Sequence, residues 1–139
     1  MSRPGNYVLE DQIGFVLRKA NQRHIAIFAK HIGDLTPPQF AALAKLDEVG
    51  ETSQNQLGVL VAMDSATIKG VIDRLSARGL VALGRDGDDR RRVMLTLTSE
   101  GRETVGRLKE LAKQVTAETI APLTEREAET LMRLLSKIT

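Results

Sequence analysis

The stretch GRDGDDRRRVMLTLTSEG, residues 84–101, constrains the fold of this chain more than any other. An apolar run precedes its charged tip, and Val93, Leu95 and Leu97 alternate with other residues behind the tip, which predicts a two-stranded hairpin. Because such a hairpin alone is only marginally stable in water, it needs another element to pack against. Solvated hairpin tips also carry charge, so the role of this tip depends on what surrounds it.

Two short helices are predicted immediately before the hairpin. Ser53 and Gln56 form the pattern of a capping box at the start of the first helix, and Asp64 or Ser65 caps the second. Gly79 has the position of a C-terminal helix stop. Two helices joined by so short a turn predict a helix-turn-helix, and together with the hairpin they predict a winged helix.

Longer helices are predicted on both sides of this winged helix. The first runs from about residue 8 to residue 31, and capping boxes at Thr36 and Thr124 begin two others. Thr98 caps a further helix, which ends near Pro122. The expected fold class is therefore mainly α with a small β-hairpin, a winged helix-turn-helix.

The terminal helices carry more apolar surface than a domain this small needs for its own core. The fifth helix has one apolar face, and the first has a stripe with the spacing of three and four residues. Leftover apolar stripes indicate a partner, so we expect a homodimer, although the same residues could fill the core of a single chain. The residues concerned are Leu9, Ile13, Val16, Leu17, Ala20, Ile27 and Phe28 of the first helix, Val105, Leu108, Ala112 and Val115 of the fifth, and Ala128, Leu131, Leu135 and Ile138 of the last.

These elements indicate that different segments of the chain have different functions. We expect one unit of residues 1–139, in which residues 36–98 form a DNA-binding lobe. Residues 8–35 and 99–139 are expected to be dimerisation helices, so that the fold is dimerised through its N- and C-terminal helices.

Composition narrows the possible functions. The chain has no cysteine, which excludes disulfides, thiol nucleophiles and iron–sulfur clusters. A net charge of +2 does not by itself indicate a nucleic-acid partner, so DNA contact would require a local concentration of positive charge. We find no phosphate-binding glycine loop and no Ser/His/Asp arrangement, and we expect no catalytic residues, no cofactor and no enzyme. With no secretion signal and no apolar run of about 20 residues, we expect a cytoplasmic protein without membrane contact.

The arginines Arg90–Arg92 lie where the wing of a winged helix meets DNA. The negative potential of a narrow minor groove attracts inserted arginine side chains. Carboxylates repel phosphate, so we expect at least one of Asp86, Asp88 and Asp89 to pair with an arginine and hold it in place. A tip that is merely solvated remains the alternative.

Three separated motifs resemble those of the MarR family of bacterial transcription regulators. LTPPQFAALAKL, residues 35–46, resembles the family's second helix, and TIKGVIDRLSARGLV, residues 67–81, resembles its recognition helix. DDRRRVMLTLTSEG, residues 88–101, resembles its wing, in which an Asp-x-Arg tip precedes a strand and a Leu-Thr-x-x-Gly helix start. The resemblance covers nearly the whole chain. It implies a homodimeric repressor that binds a pseudo-palindromic operator in double-stranded DNA and is released by a small ligand.

The resemblance also implies roles for individual residues. Arg91 would insert into the groove, Asp89 would orient it, and Arg90 would occupy the variable position between them. In the recognition helix, Gly70 stands where many family members have an arginine, so that contact is missing or is supplied elsewhere, for example by Lys69. The alternative for Ser65 and Thr67 is that they only cap the helix. The DNA-binding residues implied are Ser65, Ala66, Thr67, Lys69, Arg90, Arg91 and Arg92.

The first helix contains the only two histidines, His24 and His31, on or beside its apolar stripe. The stretch LEDQIGFVLRKANQRHIAIF, residues 9–28, resembles a MarR subgroup that senses aromatic acids or their coenzyme A thioesters. Arginines there could pair with an anionic ligand, although a solvated basic face and a hydrogen-bonded, partly buried His24 at the dimer interface are the alternatives. The effector-binding residues implied are Arg18, Arg23, His24, Phe28 and Phe40.

A metal site is not expected on the first helix. His24 and His31 are about two helical turns apart, roughly 10 Å along the axis, so they could not bind one ion without ligands from elsewhere. Three other functions remain open: a constitutive or architectural DNA-binding protein without effector, a metal-responsive regulator, and a winged helix that binds protein.

Overall fold

The computed structural model describes residues 5–139 of the chain. Within these residues a 3₁₀ turn, Leu9–Asp11, is followed by six α-helices and three β-strands. None of the helices in this range is long and apolar enough to cross a membrane. The helices are α1 (Ile13–His31), α2 (Pro37–Val49), α3 (Gln54–Leu60), α4 (Ser65–Ala77), α5 (Ser99–Ile120) and α6 (Glu125–Lys137), and the strands are β1 (Thr52–Ser53), β2 (Val81–Arg85) and β3 (Val93–Leu97).

The structure separates into two compact units. Ile32–Leu111 forms one, the winged unit, and the described residues up to His31 together with Ala112–Thr139 form the other, the terminal-helix unit. The first half of α5 lies in the winged unit, whereas the sequence interpretation assigned all of residues 99–139 to dimerisation. The functional division of the chain stays a prediction.

Side-chain caps begin the helices where the sequence predicts them. Thr36 and Thr124 form full capping boxes with the residues three positions later. Ser53 accepts a hydrogen bond from the backbone N–H of Gln56 at 3.1 Å. These bonds satisfy backbone N–H groups that have no partner in the first turn of a helix.

The sheet is larger than the predicted two-stranded hairpin. β2 and β3 pair antiparallel as expected, with Leu83 opposite Leu95. β1, which was not predicted, pairs with the other edge of β3, with Thr52 opposite Leu95, so the strand order is β1-β3-β2. A strand of two residues has no periodic pattern in the sequence, and only its pairing reveals it. The third strand joins the hairpin to the start of α3 and supplies the support that an isolated hairpin lacks.

The core of the winged unit includes residues that the sequence interpretation placed at a dimer interface. Val105 is 0% exposed and Leu108 is 1% exposed in the single chain. They are therefore covered within the single chain and cannot form part of a leftover surface stripe, which corrects the prediction for this part of α5. The other fully buried side chains of the unit include Leu43, Leu46, Leu57, Ile68, Ile72, Leu75 and Leu95.

A tight joint connects the end of α4 to the start of α5. Gly79 follows α4 with a φ of +76°, which favours glycine. The hydroxyl of Thr98 donates to the carbonyl oxygen of Gly79 at 2.7 Å and accepts from the backbone N–H of Gly101 at 2.9 Å. A Cβ atom at Gly101 would overlap the carbonyl oxygen of Leu80, so only glycine fits there. The Leu-Thr-x-x-Gly motif is thus a packing joint.

α1 begins later than predicted. Instead of a helix from about Val8, residues 9–11 form the 3₁₀ turn, and Gln12 is extended with φ −91° and ψ 137°. The side-chain amide of Gln12 donates to the carbonyl oxygen of Val8 at 3.0 Å and closes this turn. The continuous helix therefore starts only at Ile13.

The terminal-helix unit leaves large apolar side chains on its surface. Ile27, Phe28 and Val115 are buried, but Ile13 and Ile138 are each 63% exposed. Exposed apolar side chains that form one large patch are typical of contact surfaces. The other exposed apolar side chains of this unit are Tyr7, Leu9, Val16, Leu17, Ile25, Leu131, Met132 and Leu134.

Candidate nucleic-acid interface

Asp64 is the residue that caps α4. Its carboxylate accepts a hydrogen bond from the backbone N–H of Thr67 at 2.8 Å. That bond, with a smaller contribution from the Thr67 side chain, holds the pKa of Asp64 below its ordinary value. Ser65 is the first helical residue, so the start of the helix does not depend on its side chain.

The side of α4 opposite the core is exposed and polar. Ile68 and Ile72 are buried, whereas Lys69 is exposed and forms an ion pair with Asp73, with 2.8 Å between Nζ and Oδ2. Exposed pairs of this kind contribute little to stability, so Lys69 can exchange this carboxylate for a DNA group at small cost. The exposed residues include all four that the sequence assigned to α4: Ser65, Ala66, Thr67 and Lys69.

Two aspartates organise the tip of the wing between β2 and β3. The carboxylate of Asp86 accepts from the backbone N–H of Asp88 at 2.9 Å, and its Oδ2 lies 3.1 Å from Nη1 of Arg92. The carboxylate of Asp89 accepts from the backbone N–H of Arg91 at 3.0 Å and lies 3.6 Å from the Nε atom of the same residue. The acidic residues of the tip therefore order its backbone and two of its arginines.

The arginines of the wing differ in exposure and in partners. The side chain of Arg91 is 95% exposed, and that of Arg92 is 51% exposed beside Asp86. Arg90 is exposed between them. The sequence interpretation expected an aspartate of the tip to pair with an arginine, which Asp86 does, but it did not name Arg92 as the partner. It missed Arg85, an exposed cation at the end of β2. Because Arg85 directly precedes the charged tip in the sequence, it could have been predicted as a further wing residue.

The residues that the sequence assigned to an effector lie on α1 and α2. Arg18, Arg23, His24 and Phe28 belong to α1 in the terminal-helix unit, and Phe40 belongs to α2 in the winged unit. Arg18 is exposed, and its guanidinium carbon lies 5.8 Å from the ring centre of Phe15. Phe28 is buried.

In the described part of the chain, no three or more His, Asp or Glu side chains form a group that could hold a metal ion.

Arg23 and His24 contact the C-terminal end of α5. The guanidinium of Arg23 donates to the carbonyl oxygens of Thr119 at 2.6 Å and Glu118 at 3.0 Å. Nδ1 of His24 lies 2.9 Å from the hydroxyl oxygen of Thr119. Carbonyl groups at the end of a helix lack intrahelical donors and carry partial negative charge, so Arg23 caps α5. These contacts favour the structural interpretation of His24, and its effector role stays a prediction.

Glu118 of α5 forms charged contacts with α1 beside Arg23 and His24. Both of its carboxylate oxygens accept from Nζ of Lys30, at 2.6 and 2.7 Å, and Nε2 of His31 lies 3.4 Å from one of them. The hydrogen bond from Lys30, followed by that from His31, lowers the pKa of Glu118 below its ordinary value of 4.5. The link that this carboxylate makes between α1 and α5 is therefore strongest while it is ionised.

The Glu118→Gln variant is expected to be less stable than wild type at neutral pH. Because the pKa of Glu118 is lower in the folded than in the unfolded chain, its contribution is fully present above the unfolded value and is lost as the pH falls through the folded value. The free energies of unfolding in urea, measured from neutral to acidic pH, should therefore converge in acid. Glu103→Gln, on the same helix, serves as control. A difference between Glu118→Gln and wild type that is independent of pH would contradict the ion-pair interpretation.

The exposed start of α4 and the arginine-bearing wing are the features of a winged helix-turn-helix DNA-binding protein. The chain belongs to the MarR family, whose model matches residues 33–92. It is 39% identical over 134 residues to the transcriptional repressor NicR of Pseudomonas putida, and the aligned region covers 95% of this chain and 85% of that protein. It is thus a transcriptional regulator, as its relatives are, and not an enzyme.

Solved structures of similar regulators share the fold. A probable transcriptional regulator from Pseudomonas aeruginosa has a TM-score of 0.91 and 49% identity, covering 95% of this chain and 100% of that one. BpsR of Bordetella bronchiseptica, whose DNA binding is regulated by 6-hydroxynicotinic acid, has a TM-score of 0.91 and 40% identity over 96% and 97% of the two chains. The repressor CouR, bound to a 23-mer DNA duplex, has a TM-score of 0.85 and 28% identity over 99% and 98%. The predicted family and fold class are confirmed.

Proposed function

We propose that this protein is a homodimeric repressor that binds a pseudo-palindromic operator and releases it when an anionic aromatic ligand binds. The observation that carries the DNA-binding part is the almost fully exposed side chain of Arg91 on a wing tip ordered by Asp86 and Asp89. Arginine in such a position can enter a narrow, negative minor groove. The complex of CouR with duplex DNA supports the same use of this fold.

Base reading is proposed for the exposed start of α4. Serine, threonine and lysine side chains hydrogen-bond to base edges in the major groove, and a methyl group such as that of Ala66 can contact thymine. In a helix-turn-helix, the N-terminal residues of the second helix are the ones that reach the bases. Ser65, Ala66, Thr67 and Lys69 hold these positions on α4, and Arg90, Arg91 and Arg92 are the proposed wing contacts.

Dimerisation is proposed through the terminal-helix unit. Its exposed apolar side chains, such as Ile13 and Ile138, would leave water on contact with a second copy, which is favourable by about 25 cal/mol per Å² of apolar surface buried. Two copies related by twofold symmetry present two recognition helices, and these match half-sites about one duplex turn apart.

An aromatic acid is proposed as the ligand. The regulation of BpsR by 6-hydroxynicotinic acid, an aromatic acid, supports this class. On α1, Arg18 offers an exposed cation for a carboxylate, next to the ring of Phe15. Arg23 and His24 bond to the end of α5 with only part of their nitrogen groups, so they could bind a ligand carboxylate and hold α5 at the same time. Phe28 of α1 also belongs to the proposed set, and the assignment of Phe40, which lies in the winged unit, stays a prediction from the sequence.

Addition of 6-hydroxynicotinic acid is expected to weaken operator binding. A ligand shifts an equilibrium between two conformations by its differential affinity for them, and about 1–3 kcal/mol of coupling changes DNA affinity about 5- to 150-fold. The probe is a fluorescent duplex that the wild-type protein selects from a random-sequence library, hereafter the selected operator. Its affinity is measured by fluorescence anisotropy with and without the acid.

Variants separate the proposed ligand site from the DNA-binding surface. Arg18→Ala and His24→Ala should respond less to the acid, while their ligand-free DNA affinity stays within about threefold of wild type. Arg107→Ala, an exposed arginine of α5, is the control and should respond like wild type. If both α1 variants respond like wild type, the ligand site lies elsewhere. If the acid changes nothing in wild type, the ligand proposal is wrong, and if the wild-type protein selects no duplex, the repressor proposal is wrong.

A further inference from the structure

The glycines of the helix-turn-helix differ in what requires them. Gly79 has a positive φ, and at Gly58 an added Cβ atom would lie 3.1 Å from the carbonyl oxygen of Met63 and 3.2 Å from a side-chain carbon of Ile68. Gly70 shows neither feature, because its φ is not in the left-handed region and an added Cβ atom would meet nothing within 4 Å. No contact within the described chain therefore requires glycine at this position.

Gly70 lies in the middle of α4, where glycine is costly. After proline, glycine is the residue that most weakens a helix interior, because it loses the most backbone entropy on folding. The position is exposed, on the side of α4 away from the buried Ile68 and Ile72, and next to the ion pair of Lys69 with Asp73. Gly106 of α5 combines the same cost with the same open space, but of these two glycines it is Gly70 that lies on the side of α4 proposed to face DNA.

We propose that Gly70 is a specificity-determining residue, whose missing side chain lets a base pair of the operator approach the backbone of α4. This inference rests on the proposed DNA-binding function, in which the exposed side of α4 faces the major groove. A methyl group at this position would occupy the space of the base edge, although the free protein tolerates it. Glycine at position 70 thus favours close approach of a base pair to α4 at the specific site. It has little effect on non-specific binding, which is dominated by phosphate contacts.

Gly70→Ala is expected to change stability and specific DNA binding in opposite directions. The variant should have a Tm about 2–4 °C higher than wild type, because alanine is the better helix former and nothing is displaced. Its affinity for the selected operator should fall about tenfold or more, because overpacking by a single methyl group at a close contact is costly. Its affinity for a duplex of scrambled sequence should stay within about twofold.

Gly106→Ala is the matched control. Gly106 is also exposed inside a long helix, α5, and an added Cβ atom there meets nothing within 4 Å. This variant should gain a similar rise in Tm and bind the selected operator like wild type. Equal operator affinity of the two alanine variants would overturn the inference, and so would an equal loss by Gly70→Ala on the selected and scrambled duplexes. Failure of the wild-type protein to select any duplex would instead overturn the proposed function.

Discussion

Arg91→Ala is expected to bind the selected operator about 5- to 150-fold more weakly than wild type, a loss of about 1–3 kcal/mol. The reason is the position of Arg91: its side chain is 95% exposed, and its only charged partner in the wing, Asp89, is 3.6 Å away and also holds its backbone. The guanidinium is thus presented to solvent on an ordered turn, and little has to be broken before it enters a groove. Anisotropy titrations over a range of salt concentrations measure the loss.

The salt series also tests how Arg91 contributes. Binding that neutralises phosphates releases counterions, so the loss of one cationic contact should reduce the slope of log affinity against log salt by about one. Arg90→Ala is the matched control, because Arg90 is the adjacent exposed arginine of the tip, and it should have a smaller effect. Identical titrations for Arg91→Ala and wild type at every salt concentration would exclude groove insertion by this residue.

The double variant Ile13→Asp, Leu131→Asp is expected to be a folded monomer that binds the selected operator at least about 100-fold more weakly than wild type. Both side chains are exposed in the single chain, at 63% and 40%, so aspartate there does not disturb a core. In a dimer interface, buried unpaired carboxylates are strongly unfavourable. Loss of the second recognition helix removes the gain from simultaneous binding of two half-sites, which reaches about 10²–10⁴-fold for linked sites. Sedimentation and circular dichroism together report assembly and folding.

Val49→Asp is the control for assembly. Val49 is 44% exposed at the end of α2, in the winged unit, so the same change of chemistry there should leave the dimer intact. The variants Val105→Asp and Leu108→Asp cannot serve for this test, because both residues are buried in the single chain and the substitutions would unfold it. A wild-type protein that sediments as a monomer and binds a single half-site as tightly as the full operator would rule out the dimer proposal.

The parts of the fold that follow from short-range chemistry could be predicted from the sequence. The caps at Thr36 and Thr124 are completed by residues three positions away, so the residue types alone reveal them. The wing was predictable because the pairing of β2 with β3 also follows from alternation and a short turn. β1 was not predictable, because its two residues become a strand only by pairing with Met94 and Leu95, far along the chain.

The same distinction explains the outcome for the candidate sites. The Asp89–Arg91 arrangement is local, and the structure places these residues together as the sequence interpretation expected. The partners of Arg23 lie on α5, more than ninety residues away, and no local pattern reveals a bond to a distant helix end. Aliphatic stripes have a related difficulty: Val105 and Ile13 look alike in a periodic pattern, and only tertiary packing shows that one is covered and the other is not.

The joint formed by Gly79, Thr98 and Gly101 has a mechanical consequence. Because the hydroxyl of Thr98 holds both neighbouring segments and the carbonyl of Leu80 closes the space at Gly101, no flexible linker separates the recognition helix α4 from the first turns of α5. We therefore expect a rotation of the start of α5 to move the end of α4 with it. Even a small torque on α5 would then misalign the recognition helix with its groove.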